Sequence, residues 1–194
     1  MIFWVFFVLG ITSLLSQVVI IRELFNAFYG NEFFIGLVLG SWLFWTGLGS
    51  FSLTKIIGKF KPENISKILI LSYLSIALLL PLEIFLIRFS KIWSGLPGEI
   101  PDLLLAGLFG IFIIAPVGLV LGLQFPLAIK NFSKENIVSN LGRGYLFETL
   151  GFSLGGIVFS FFLIRQNEFS TMFLLSSLNL LAAFFILRTR DVHL

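Results

Sequence analysis

The chain has 194 residues, of which 58% are hydrophobic and only 12% are charged, and its mean hydropathy is +1.05. Soluble domains carry about 25% charged residues, so this balance excludes an ordinary soluble fold and indicates an integral membrane protein. The net charge of +3 comes from basic residues spread along the chain, which argues against nucleic-acid binding. One histidine and no cysteine leave too few ligands for a transition-metal site, so we expect no metal and no cofactor.

Six stretches of the sequence are long and apolar enough to cross a bilayer as helices. Each is close to the roughly 20 residues that a spanning α-helix needs, and the alternating pattern of about ten residues typical of outer-membrane barrels is absent. The first stretch has no basic flank and no small-residue cleavage site, so we interpret it as a retained helix. We predict an all-α, polytopic membrane bundle, a single transmembrane domain without a soluble catalytic domain, with helices at about 3–28, 33–54, 66–88, 103–130, 141–165 and 168–188.

Polar residues gather near the end of the first predicted helix and in the turn that follows it. Arg22 and Glu23 lie close to the end of this helix. Asn31 is a suitable N-cap and Glu32 a favourable first-turn acid for the second helix. We predict that these four residues form an outer polar cluster. The cluster is interpreted either as interfacial snorkelling with a capped turn or as ion pairs beneath a cavity mouth.

Glycines, prolines and one asparagine in the other predicted helices indicate how these helices pack or bend. Gly36 and Gly40 form a G-x-x-x-G pattern, which we expect to serve helix packing within the chain. Pro81 is expected to weaken or bend the third helix near its outer third. The fourth helix is predicted as one span although it contains Pro116. In the sixth helix, Asn179 is expected to form a hydrogen bond between helices.

The fifth predicted helix has one face that is nearly bare of side chains. Gly144, Glu148, Gly151 and Gly155 fall at i, i+4, i+7 and i+11, so they share a stripe that holds a single carboxyl. We expect this face, together with Gly156, to be buried against another helix. A carboxyl at this depth favours a functional role for the face, and a tight packing seam with one tolerated polar residue is the alternative interpretation.

Membrane-buried polar residues are the candidates for a ligand site. A charged carboxylate at the bilayer centre costs roughly 2.5–3.5 kcal/mol on insertion scales, so Glu148 should face protein or water. We predict that it lies among partners such as Gln17, Gln124 or Tyr145. The full set of hypothetical ligand-binding residues is Glu148, Tyr145, Arg143, Gln17, Gln124 and Glu83, with no catalytic residue among them.

Basic residues predict the orientation of the bundle. With the N-terminus inside, nine of the thirteen Lys and Arg residues fall in inner segments and four in outer ones. Short cytoplasmic loops are enriched in these residues. We therefore predict that both termini face the cytoplasm.

Three groups of residues, taken together, resemble a known family. They are Ser16, Gln17, Val18 and Val19 with Arg22, Glu23, Gly30, Asn31 and Glu32; Phe125 with Pro126; and Gly142, Arg143, Tyr145, Glu148, Thr149, Gly151, Gly155 and Gly156. In order and position they are similar to the membrane domain of membrane-bound, spermidine synthase-like proteins. These are bacterial relatives of the polyamine aminopropyltransferases, in which transmembrane helices are fused to a soluble catalytic domain. The resemblance covers nearly the whole chain.

The resemblance implies a multi-pass protein of the bacterial inner (plasma) membrane that works with a cytosolic aminopropyltransferase-like domain. That domain would bind decarboxylated S-adenosylmethionine and a polyamine. Nothing after Leu187 can supply its fold, so we expect the chain alone to lack aminopropyltransferase activity. The implied role is a membrane anchor that also acts as a conduit or sensor for a small cationic ligand, with Glu148, Glu83 and Glu23 offering carboxylates.

Two other functions stay open at the level of the sequence. A half-transporter of the major-facilitator type, working as a dimer or with a second membrane half, is suggested by the glycine-rich, basic segment 49–61. A scaffold protein, in which every polar residue serves packing, is the third hypothesis. The lipid bilayer is a partner in all three.

Overall fold

The computed structural model describes residues 2–28, 32–56, 62–93, 103–132 and 137–191, and nearly all of these residues are helical. Six helical spans within these ranges are long and apolar enough to cross a membrane. The prediction of an all-α bundle with six such spans is thus confirmed. The helices are α1 (Ile2–Phe28), α2 (Glu32–Ile56), α3 (Pro62–Trp93), α4 (Leu103–Ile113), α5 (Ala115–Phe132), α6 (Ile137–Phe161) and α7 (Glu168–Asp191), with a 3-10 turn (Leu163–Arg165) before α7.

The fourth predicted helix is interrupted at Ile114, which corrects the expectation of one continuous helix over 103–130. Pro116 explains the break, because proline has no N–H to donate to the carbonyl four residues earlier and its ring clashes there. The indole N–H of Trp45 in α2 donates to the carbonyl of Ile111 at 2.8 Å. This bond satisfies a backbone acceptor next to the break, as an apolar surrounding requires.

Other helix ends differ from the predicted ones by about a turn. α3 extends beyond 66–88 in both directions, and it begins at Pro62, because proline is well suited to the first position of a helix. Pro81 lies inside α3 without interrupting it. α6 ends at Phe161 and not near residue 165, because the chain turns there into the 3-10 segment.

The helices pack as three principal pairs, α1 with α6, α2 with α5 and α3 with α7. α3 also packs against α5, whereas α2 and α6 hardly touch. The predicted hydrogen bond of Asn179 is present, since its side-chain amide donates to the hydroxyl of Thr12 at 2.9 Å. This bond joins α7 to α1 inside the bundle.

Glycines bring the backbones of α1 and α6 into contact. A methyl group placed on Gly151 would lie 2.1 Å from the carbonyl oxygen of Phe7, and one on Gly10 would lie 2.0 Å from that of Glu148. Such distances are far below any allowed contact, so only glycine permits this approach. The structure therefore places the glycine face of α6 against α1. On the same face, Gly155 contacts Ile11 and Gly156 contacts Leu14 of α1, while Gly144 contacts both Phe6 of α1 and Ile129 of α5.

The pair formed by α2 and α5 is built in the same way. A methyl group on Gly49 would lie 2.3 Å from the carbonyl oxygen of Leu119, and one on Gly122 would lie 2.0 Å from that of Thr46. Close packing of this kind is a main source of helix association in lipid, because apolar side chains that already contact lipid gain no hydrophobic free energy when they contact another helix.

Gly36 and Gly40 do not take part in this packing. They lie on an exposed face of α2 with Gly47, and no described atom lies within 4 Å of a methyl group placed on any of the three. The expectation that Gly36 and Gly40 pack within the chain is thus not met by the described residues. The reason is that α2 turns a different glycine, Gly49, towards α5.

Replacement of Gly151 with alanine should destabilise the fold by about 1–3 kcal/mol, because the added methyl pushes α6 away from α1. Gly47→Ala is the matched control, since its methyl meets open surroundings. Alanine also favours a helix over glycine by up to about 1 kcal/mol, so the control should be neutral or slightly stabilising. Thermal unfolding of both purified variants in the same detergent measures the difference. Equal midpoints would show that the contact between α1 and α6 does not need glycine.

Candidate functional site

A cavity of about 630 Å³ lies between the α1/α6 pair and the α2/α5 pair. We call it the central cavity. Its volume falls within the range of roughly 300–1,000 Å³ that is common for small-molecule sites. All four helices supply side chains to its wall. The polar lining residues are Ser13, Gln17, Thr46, Ser50 and Glu148.

The polar residues of the central cavity follow helical spacing. Ser13 and Gln17 are four residues apart on α1, and Thr46 and Ser50 are four apart on α2, so each pair projects from one face of its helix. Ser13 and Gln17 lie near the middle of the apolar span 3–28, and Glu148 lies near the middle of 139–161. Ser13, Gln17 and Glu148 are therefore at mid-depth of the bundle, while Ser50 lies near the end of the α2 span.

Glu148 is the one charged side chain among the described residues that line the central cavity. It is half-buried, and its backbone carbonyl rests against Gly10 of α1. Ser13 and Gln17 follow Gly10 by about one and two helical turns. The glycine contact therefore holds the backbone of Glu148 against α1, and the side chains of Glu148, Ser13 and Gln17 line the same cavity.

The uncharged polar groups of the central cavity can all accept hydrogen bonds. The Thr46 hydroxyl donates to the carbonyl of Trp42 at 2.8 Å, so it presents only its lone pairs to the cavity. Gln17 and Ser50 carry oxygens that accept as well. Together with the Glu148 carboxylate, these groups match a donor-only cation such as an ammonium group better than an anion.

The rest of the cavity wall is apolar and reaches the outer surface of the bundle. Leu43 of α2 is 69% exposed and Phe152 of α6 is 41% exposed, yet both line the cavity. Since α2 and α6 hardly touch, the cavity opens sideways between them. The apolar lining residues are Leu9, Trp42, Leu43, Leu121, Phe125 and Phe152.

The residues proposed from the sequence as ligand-binding fall into different places. Glu148 and Gln17 share the central cavity. Tyr145 is exposed and its ring meets that of Phe125 edge-on, with centroids 6.5 Å apart. Arg143 is exposed. Two others, Gln124 and Glu83, are buried away from the cavity lining, and their side-chain polar atoms have no hydrogen-bond partner among the described residues.

Sequence reasoning missed Ser13, Thr46 and Ser50. Hydroxyl side chains in apolar helices commonly bond to their own backbone, so singly they carry little functional signal. The spacing of four residues between Ser13 and Gln17, and between Thr46 and Ser50, is the signal that would have found them.

Four charged side chains form a second polar site where α1 ends and α7 begins. Glu168 accepts hydrogen bonds from Arg22 at 2.8 Å and from Arg88 at 3.0 Å. Arg88 also donates to both carboxylate oxygens of Glu23, with its Nε 3.2 Å from each. Arg22 donates to the backbone carbonyl of Ile164 at 3.1 Å. This ion-pair cluster joins α1, α3 and α7 to the turn after α6.

Three members of the ion-pair cluster, Glu23, Arg88 and Glu168, line a smaller cavity of about 330 Å³, together with Asn26 and Ala27. The two acids and two bases of the cluster are all engaged in ion pairs with one another. Glu168 also lies in the first turn of α7, where a negative charge is favoured by the helix dipole. The cluster therefore acts as a connection between helices.

The predicted outer polar cluster and the observed ion-pair cluster overlap only in part. Arg22 and Glu23 belong to both, while Asn31 and the side chain of Glu32 lie outside the described residues. Arg88 and Glu168 complete the cluster, and the sequence analysis did not include them.

A helix-start pattern in the sequence, an N-cap residue followed by an acid, could have identified Glu168. Asn167 caps α7 by accepting a hydrogen bond from the backbone N–H of Phe169 at 3.0 Å. The pair Asn167 and Glu168 thus repeats the cap and first-turn acid predicted for Asn31 and Glu32.

No family model, curated protein or solved structure matches the chain. The likeness to the membrane domain of spermidine synthase-like proteins therefore stays a prediction from the residues that suggested it. Among the described residues, no group of three or more His, Asp or Glu side chains is placed to hold a metal ion.

Arg88→Met should destabilise the fold by about 1–3 kcal/mol, because it leaves the Glu23 carboxylate, only 6% exposed, without its partner. The loss should stay below the 3–5 kcal/mol of fully buried pairs, since Arg88 is 39% exposed. Adding Glu23→Gln should recover part of the loss. A double-mutant cycle of unfolding free energies tests this coupling, and strictly additive effects would contradict it.

Proposed function

We propose that this chain is an integral membrane domain that binds a small cationic ligand in the central cavity. The observation that carries the proposal is that Glu148 is the one charged group in the cavity lining described by the structure, in a wall otherwise made of uncharged polar and apolar side chains. A carboxylate in surroundings of low dielectric constant attracts a cation far more strongly than one in water. A bound cation would in turn offset the cost of holding that carboxylate in the bundle.

The proposal includes an orientation and a location. Both termini face the cytoplasm, which the distribution of basic residues supports. The bacterial inner membrane and a role as anchor for a cytosolic aminopropyltransferase-like domain rest on the sequence resemblance. In that setting the cavity acts as a sensor or conduit for the cation, and the membrane domain itself carries no catalytic residue.

A half-transporter of the major-facilitator type, working as a dimer, is the second candidate. The observation in its favour is the exposed stripe of Gly36, Gly40 and Gly47, which no described atom approaches and which ends beside the cavity opening. A second copy seated there would close the cavity. Light scattering of the protein in detergent or nanodiscs distinguishes the two candidates, since a monomer counts against the dimeric transporter.

A fusion at the C-terminus tests the orientation. A fluorescent reporter that folds only in the cytoplasm should be bright, and alkaline phosphatase, which folds only after export, should be inactive. The physical reason is that translocating the basic inner segments is disfavoured. Fusions after residue 97 should give the opposite pattern. Active phosphatase at the C-terminus would reverse the proposed topology.

Binding of organic cations to the nanodisc-embedded protein tests the ligand proposal. A panel of spermidine, dodecylamine and tetraethylammonium should contain at least one compound that binds and that loses about tenfold in affinity with Glu148→Gln, because a charge-assisted bond is lost. Glu83→Gln is the matched control. It removes the other acid lying well inside an apolar span, but one that does not line the cavity. If no compound distinguishes Glu148→Gln from the unchanged protein, cation binding in this cavity is refuted.

A further inference from the structure

We infer that the ligand of the central cavity is a lipophilic monoamine that enters from the lipid phase between α2 and α6. This inference rests on the proposed binding of a cation at Glu148. It adds the number of charges on the ligand, the presence of an apolar part and the route of entry.

The number of charges follows from the acids available. Glu148 is the one acid in the described cavity lining, and Glu83 lies buried outside that lining. Glu23 and Glu168 are paired with arginines in the separate ion-pair cluster. A polyamine would bring further ammonium groups into the cavity with no carboxylate to meet them, and burying an unpaired charge is strongly unfavourable. A single cationic centre fits the site.

The apolar part follows from the composition of the wall. Leu9, Trp42, Leu121 and Phe125 surround the cavity beside its polar groups. An alkyl or aromatic portion of the ligand can pass from lipid to this apolar surface without losing hydrogen bonds, whereas a fully hydrated cation would have to give up water for it. The pattern of a few convergent polar groups in an apolar wall is typical of sites for amphipathic small molecules.

The route follows from the opening of the cavity. Leu43 and Phe152 belong to both the cavity wall and the exposed surface, and they lie on the two helices that hardly touch. Gly47 lies at this opening, and a methyl group placed on it would meet no atom of the described residues within 4 Å. An amine dissolved in the bilayer can therefore reach Glu148 sideways, with its tail left between α2 and α6.

Quenching of tryptophan fluorescence measures the predicted binding, because Trp42 lines the cavity. Dodecylamine brominated in its chain is titrated into the full chain in nanodiscs. We expect saturable quenching that is about tenfold weaker in affinity with Glu148→Gln and unchanged with Glu83→Gln. Brominated dodecanol, which lacks the charge, should also bind about tenfold more weakly. Spermidine should not compete.

A pair of glycine variants measures the route. Gly47→Leu places a bulky side chain at the opening, so it should slow the association of the brominated amine about tenfold. Gly40→Leu is the matched control, since Gly40 lies on the same exposed face of α2 but does not line the cavity. Circular dichroism and thermal unfolding confirm that both variants are folded. An unchanged association rate in folded Gly47→Leu overturns lateral entry.

The outcomes separate this inference from the proposed function. If spermidine binds in a Glu148-dependent way and dodecylamine does not, the cavity still binds a cation but the ligand class inferred here is wrong. If dodecanol binds as well as the amine and Glu148→Gln has no effect, the cavity is an apolar groove for lipid, and both ideas fail.

Discussion

Close backbone contact at glycines is the constraint on which the rest of this bundle depends. Helices in lipid gain little from hiding apolar side chains, so their association relies on van der Waals contact at short range. Gly10 and Gly151 provide this contact between α1 and α6, and Gly49 and Gly122 provide it between α2 and α5. The two pairs are tight within themselves and loosely joined to each other, since α2 and α6 hardly touch. The central cavity lies at that loose junction, so its position is a consequence of where the glycines are.

Two carboxyls inside apolar spans illustrate two ways of placing an acid in such a bundle. Glu83 is buried among the side chains of α3 and its neighbours, and its oxygens have no partner among the described residues. Glu148 instead faces a cavity that also holds Ser13, Gln17, Thr46 and Ser50. An acid enclosed by apolar side chains has no polar group to offset its burial, whereas an acid that lines a polar cavity has room for a bound ligand. The difference in surroundings is why Glu148, and not Glu83, is the centre of the candidate site.

The sequence predicted what depends on local composition and period, and missed what depends on contacts between distant residues. Apolar runs located all six spans, and the spacing of Gly144, Glu148, Gly151 and Gly155 identified the packed face of α6. The partner of that face, α1, could not be predicted, because a glycine stripe specifies closeness but no particular neighbour. For the same reason Gly36 and Gly40 suggested packing that the described chain does not provide. Arg88 and Glu168 lie 80 positions apart, so nothing in the local sequence revealed that their side chains would form an ion pair.

The central cavity also bears on why α2 and α6 stay apart. A bundle selected only for stability would bring these helices together, because every gap in a packed interior forfeits dispersion contacts. Here the gap is kept open from both sides. α6 is held to α1 by its glycine face, and α2 is held to α5 by Gly49 and by the bond from Trp45 to the carbonyl of Ile111. Pro116 creates the helix break next to that carbonyl. The same features that hold each pair together therefore keep the pairs from closing over Glu148, and the fold keeps a partly polar cavity with an apolar opening towards the lipid, at the cost of some packing.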